Sequence, residues 1–172
     1  EQEACHEGGV MTSDLMAKAR AGDGDAFRAM TEPHRRELQA HCYRMLGSMH
    51  DADDALQETF VRAWRGLDRF EPRAPLRAWL YRIATNVCLR AVERRARRPD
   101  ALDPADAEVA SYLQPYPDRL LDVDAAVEER ESVGLAFVSV MQLLPPRQRA
   151  VLMLRDALGW SAKDTAALLG IS

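Results

Sequence analysis

The chain has 172 residues, 23 Lys+Arg against 27 Asp+Glu, and a formal net charge of −4. That balance argues against a uniformly basic nucleic-acid binder, and 47% hydrophobic with 29% charged residues argues against a disordered chain. No apolar run approaches the ~20 residues that a membrane helix needs, so one globular domain or two small ones are expected.

In chain order, the N-terminus (EQEACHEGG) is acidic where a secretory leader is basic, and Met11 is a candidate start. Helical periodicity begins at residues 13–21 and resumes over 25–49 after the Gly22-Asp23-Gly24 break. The next helix runs from Asp51 to Leu67, with Asp51 as its expected N-cap and Leu56, Phe60, Ala63, Trp64 and Leu67 as one buried stripe. A fourth helix runs from Leu76 to Arg98 between Pro75 and Pro99, with Leu76, Leu80, Ile83, Val87 and Ala91 as its core stripe. Residues 99–125 are rich in proline and acids and read as a linker, apart from one apolar island at Tyr112–Pro117 that is expected to dock on a domain surface. Helices follow over 125–143 and from Pro146 to about Asp156, and Ser161 starts the last one, Ala162 to Leu169, which Gly170 stops. No stretch alternates with period two, so the fold class is all-α.

The net charge hides an asymmetry. Residues 75–98 carry seven Arg and one Glu, hence +6, whereas residues 100–131 carry ten acids and two Arg, hence −8. On the fourth helix the face opposite the apolar stripe bears Trp79, Arg82, Asn86, Arg90 and Arg97, flanked by Arg94 and Arg95. Arginine neutralises phosphates and releases counterions. An asparagine amide can pair with a base edge, and an aromatic ring can stack on an unpaired base. The same pattern is also compatible with a solvated arginine face whose tryptophan is half in the core.

Two motifs turn this pattern into a resemblance. The run Asp54 to Arg65 (DALQETFVRAWR) followed by Leu67–Phe70 (LDRF), and then Ala78 to Asn86 (AWLYRIATN), closely resemble region 2 of bacterial extracytoplasmic-function (ECF) sigma factors. Leu143 to Arg149 (LLPPRQR) through Gly170-Ile171-Ser172 resembles the start of region 4 of the same family, and Leu113 to Asp118 (LQPYPD) resembles an actinobacterial subgroup with a SnoaL-like C-terminal extension. The resemblance implies two small helical domains joined by an acidic, Pro-rich linker: an N-terminal extension over 1–13, region 2 over 14–99, the linker over 100–125, and region 4 over 126–172. It implies an alternative sigma factor that binds core RNA polymerase, recognises the promoter −10 element and melts it, with no catalysis and no cofactor.

Site residues follow from the same resemblance. Asp54, Gln57, Glu58, Val61, Arg62 and Arg65 would meet the coiled coil of the polymerase largest subunit. Trp79, Arg82, Asn86, Arg90, Arg94, Arg95, Arg97 and Arg98 would meet promoter DNA, with Asn86 and Arg82 near a flipped base and a pocket built by the loop Arg69–Pro75. Flipping a base costs a few kcal/mol, so a preformed pocket is needed. The regulator implied is an anti-sigma protein or the chain's own C-terminal extension. The −8 linker is expected to thread the polymerase's basic RNA-exit path or to fold back on the +6 helix.

One departure stands out: the sequence stops at Ser172, before the recognition helix of the region 4 helix-turn-helix that would read a −35 element. Leu168, Leu169 and Ile171 are therefore expected to lack packing partners. A stand-alone helix-turn-helix regulator is the alternative reading, and it needs a complete recognition helix. His34, His41, Cys42 and His50 do not have zinc spacing, so surface histidines and a buried Cys42 are expected, with Cys88 also in the core. Three widely spaced cysteines make no disulfide framework, which fits a reducing cytoplasm. No nucleophile–base pair, phosphate loop or paired-carboxylate site is apparent.

Overall fold

The computed structural model describes residues 14–71, 75–97 and 137–170, and every regular element among them is helical. The elements are α1 (residues 14–20), α2 (Gly24–Thr31), α3 (Arg35–Leu46), α4 (Met49–Gly66), α5 (Leu76–Ala96), α6 (residues 137–143), α7 (Pro146–Leu152) and α8 (Ala162–Leu169). The linker, including its Tyr112–Pro117 island, and residues 125–136 lie outside the described residues.

Local chemistry sets the boundaries, and it corrects two of them. The stretch 25–49 is two helices. Pro33 cannot donate to the ladder, and a 3-10 turn at Glu32–His34 separates α2 from α3. α3 ends at Gly47, whose φ of +75° is the left-handed region that favours glycine and whose N–H bonds Tyr43 O at 2.7 Å. The N-cap of α4 is Ser48 and not Asp51: Ser48 Oγ accepts from the Asp51 N–H at 3.3 Å, which places Asp51 in the first turn. Asp23 caps α2 in the same way, accepting from Asp25 and Ala26.

α3, α4 and α5 pack mutually as a three-helix core, and α1 and α2 cover one side. Leu38, Met45, Thr59, Leu80 and Thr85 are fully buried. Polar ties align the bundle. Arg77 on α5 grips both carboxylate oxygens of Glu37 on α3 (3.0 and 2.8 Å), and Gln39 donates to Asp53 at 2.6 Å. The buried face of α5 is rotated from the expected stripe: Leu80, Tyr81, Ala84, Thr85, Val87 and Cys88 are buried, whereas Leu76, Ile83 and Ala91 are half-buried. The reason is that α5 is covered from two sides, by α3 and α4 and by α7. On α4 the buried residues are Ala52, Ala55, Leu56, Thr59 and Ala63. Small side chains let the helices approach closely, and Trp64, expected in the stripe, is pushed outward to 38% exposure against the edge of Phe27.

One expected surface histidine is in the core. His41 is 1% exposed, its Nε2 lies 3.0 Å from Thr85 Oγ1, and its ring stands edge-on to Tyr81. Burial, with Arg44 nearby, lowers its pKa from 6.5 to about 4, so it is neutral in the fold. Cys42 and Cys88 are buried as expected, and a thiol–thiol hydrogen bond together with burial pushes Cys88 well above its ordinary range.

The C-terminal helices form a second lobe that packs on the first through α7. Arg149, 5% exposed, is the centre of that contact. Its guanidinium donates to Met45 O in the last turn of α3, to the Gln142 side chain, to Gln142 O (3.0 Å) and to Leu144 O (3.2 Å). Gln142 in turn donates to Arg44 O at 3.0 Å. The carbonyls at a helix C-terminus have no partner within the helix; here side chains from the other lobe supply two of the donors. After α7 the helix widens to one π turn at Met153–Ala157, and the chain reverses at Gly159, φ +68°. Ser161 caps α8, accepting from the Asp164 N–H at 3.0 Å. Leu168 and Leu169, expected to lack partners, are each 8% exposed and belong to the common core.

Candidate nucleic-acid interface

α5 carries the expected polar line on the side away from its buried face. Arg82, Arg90, Arg94 and Arg97 are exposed, and Trp79 and Asn86 are half-buried. The Asn86 amide donates to Arg82 O, one turn back, at 2.9 Å. This fixes the side chain against the helix and leaves its carbonyl oxygen and second amide hydrogen as groups that can meet a base edge. Trp79 is both core and surface: its ring is tilted against Phe70 (centroids 4.9 Å apart) and it lies beside Gly66, where a Cβ would sit 3.5 Å from the indole.

The structure divides the arginines. Arg95 is on another side of the helix, 3.7 Å from Asp51 at the start of α4. Arg94 Nε reaches back to Arg90 O at 3.4 Å. Arg98 and residues 72–74 of the loop before α5 lie outside the described residues. The Leu67–Arg69 turn and Phe70, which lead into that loop, are well anchored: Leu67 and Phe70 are buried.

On α4, Asp54, Gln57, Val61 and Arg65 are exposed and Glu58 and Arg62 are half-buried. Arg62 donates to Glu58 at 2.6 Å, and Asp54 faces His50 at 3.8 Å. Trp64 joins this face, which makes a small apolar spot with Val61 (42% exposed) inside a polar rim. Sequence reading missed it by placing Trp64 in the core. The signal was its position three residues after Val61, on the same side of the helix. Among the described residues, no group of three or more His, Cys, Asp or Glu is placed to hold a metal ion, and no helix is long and apolar enough to cross a membrane.

The chain that carries these two faces matches a known class of protein. Residues 30–98 match Sigma-70 region 2, and residues 135–172 match Sigma-70 region 4. The chain is 34% identical over 154 residues to the ECF RNA polymerase sigma factor SigW of Bacillus subtilis, with 85% of this chain and 78% of that protein covered. It belongs to the ECF RNA polymerase sigma factor family. It is also 49% identical over 170 residues to the ECF RNA polymerase sigma factor SigG of Mycobacterium tuberculosis. That match covers 91% of this chain and 45% of the relative, so the chain spans about half the length of SigG. Among solved structures it resembles CnrH in complex with the cytosolic domain of CnrY, at 30% identity and a TM-score of 0.58, covering 94% of this chain and 84% of that one. The sigma factor RpoE of Bartonella quintana, solved with the anti-sigma factor NepR, shares the fold at a TM-score of 0.60 and 22% identity over 85% of this chain and 84% of that one.

Proposed function

We propose that this chain is a promoter-specificity subunit that binds core RNA polymerase through the outward face of α4 and captures melted −10 DNA on α5. The observation that carries this reading is the line Trp79, Asn86, Arg90 and Arg97 on the face of α5 away from the core, next to a well-anchored turn at Leu67–Arg69. The chemistry is binding alone. Arg90, Arg94 and Arg97 take phosphates, Asn86 and Arg82 meet one extruded base, and Trp79 offers a stacking edge. Arg95 and Arg98 join them in this proposal, Arg95 by exchanging Asp51 for a phosphate. Asp54, Gln57, Glu58, Val61, Arg62 and Arg65, with Trp64, form the polymerase face, meeting the largest-subunit coiled coil.

The domain division 14–99, 100–125 and 126–172 accompanies this reading. Such a protein works in the cytoplasm and without catalysis. Its regulator is an anti-sigma protein or a C-terminal extension. The solved neighbours, RpoE with the anti-sigma factor NepR and CnrH with the cytosolic domain of CnrY, support the first, and the Leu113–Asp118 motif supports the SnoaL-like subgroup and with it the second. The acidic linker is assigned to the polymerase's basic RNA-exit path.

The test is transcription in vitro with purified core polymerase on a cognate promoter, with wild type and Asn86→Ala compared. Activity is expected from the wild type and a loss of about fivefold or more in open-complex formation from the variant, because one good base contact is worth about 1–3 kcal/mol. An unaffected variant removes the base-capture assignment. Failure to co-purify with core polymerase removes the whole reading.

A further inference from the structure

Arg20 lies at the end of α1, far in sequence from both faces, yet it reaches the turn that leads into α5. Its Nε donates to Leu67 O at 3.4 Å and its Nη2 donates to Phe70 O, acceptors 47 and 50 residues away. These two carbonyls bracket the 3-10 turn Leu67–Arg69. Leu67 O already accepts the Phe70 N–H at 3.1 Å and has a second lone pair to offer, and a planar guanidinium can serve it and Phe70 O at once. Phe70, held at its carbonyl, is 5% exposed and supports one side of the Trp79 ring, while Gly66, just before the turn, lies beside the indole. Nothing in the sequence pattern of α1 signals this role; the packing of α1 beside the α4–α5 turn creates it.

We propose that Arg20 is a positioning residue for −10 recognition: it clamps the Leu67–Phe70 backbone and thereby fixes Trp79 and the entrance of the loop that precedes α5. The proposal rests on the −10 reading above. Arg20 acts through the turn, touching no DNA itself. A lysine has one ammonium in place of the two-pronged fork and holds one carbonyl at a time.

The experiment compares wild type, Arg20→Ala and Arg20→Lys, each assembled with core polymerase. The probe is a single-stranded oligonucleotide selected from a random pool on the wild-type holoenzyme, against its scrambled version, by fluorescence anisotropy over a salt series. The expected result is a loss of about tenfold in discrimination for Arg20→Ala, the scale of one charge-assisted hydrogen bond, with an unchanged salt slope and partial recovery in Arg20→Lys. A second arm reads Trp79 emission in the free chain carrying Trp64→Phe and Trp160→Phe. Arg20→Ala is expected to red-shift it, because the indole loses its fixed support.

Equal loss on both oligonucleotides with a shallower salt slope would make Arg20 a phosphate contact and overturn the proposal. Unchanged discrimination with unchanged emission overturns it as well. If the wild type itself does not discriminate, the −10 reading falls, and the emission arm alone decides whether Arg20 sets Trp79. If Arg20→Ala does not fold, Arg20→Lys must show the partial loss in discrimination, and wild-type discrimination there refutes the clamp.

Discussion

Replacing Arg149 by methionine tests how the two lobes are joined. Methionine keeps an apolar stem of similar reach and removes every donor. Met45 O, Gln142 O, Leu144 O and the Gln142 side chain then lose the guanidinium that now serves them. A hydrogen bond to a charged group contributes about 1.5–3 kcal/mol, but freeing a buried guanidinium from its desolvation penalty returns several kcal/mol. Arg149 is at the centre of the lobe contact and only 5% exposed, so the desolvation that its removal relieves is large and offsets much of the lost bonding. The net loss expected is therefore about 2–4 kcal/mol, well below the sum of the individual bonds. Gln142→Ala removes the donor to Arg44 O and one acceptor, and should cost about 1 kcal/mol. Because the two side chains share a network, the double variant should fall short of additivity by ~1 kcal/mol.

Urea unfolding of the full chain measures this, with tryptophan fluorescence read in two backgrounds. One keeps only Trp160, in the second lobe, and the other keeps only Trp79, in the first. In the wild-type frame the two probes should report one transition. With Arg149→Met, the Trp160 transition should move to lower urea and separate from that of Trp79. A variant within 0.5 kcal/mol of its parent, with coincident transitions, would refute the view that this one guanidinium couples the lobes.

The buried His41 gives a pH test. Its pKa is lowered to about 4 in the fold, so the unfolded chain takes up the proton first. Stability is full above about pH 6.5 and falls as pH drops toward 4, by roughly 3 kcal/mol from this group. His41→Gln should remove that slope from urea midpoints taken between pH 7 and 4.5, and an identical slope in both proteins would disprove it. The Cys42 and Cys88 thiols should resist iodoacetamide in the native protein at pH 8 and react after denaturation, as mass spectrometry of the peptides will show; rapid native labelling contradicts their burial and the raised Cys88 pKa. Val61→Asp with Trp64→Ala should weaken core-polymerase binding in competition assays by tenfold or more, about 1.4 kcal/mol, and unchanged competition would move the polymerase interface elsewhere on the molecule.

Much was legible from sequence because it rests on local rules. Helix periodicity placed α4, α5 and α8, Pro75 opened α5, and Ser161 capped α8, each decided within a few residues of chain. The polar line on α5 was equally readable, since residues three or four apart share a face whatever packs on the other side. Its rotation was not. Which of two adjacent apolar positions is fully buried depends on what covers the helix, and α7 covers α5 from a distance in sequence that no window spans. The Asp51 cap was misread because Ser48 offers its hydroxyl one turn earlier. The buried His41 needed Thr85, 44 residues away, as a partner. Sequence by itself determined the helical class, the family motifs and the chemistry available on each face, because those follow from residue type and helical period. Tertiary structure alone decided which arginines serve the fold: Arg149 and Arg77 hold helices together, Arg20 holds a turn and Arg95 meets Asp51, because a cation's role is set by the acceptor that packing brings to it.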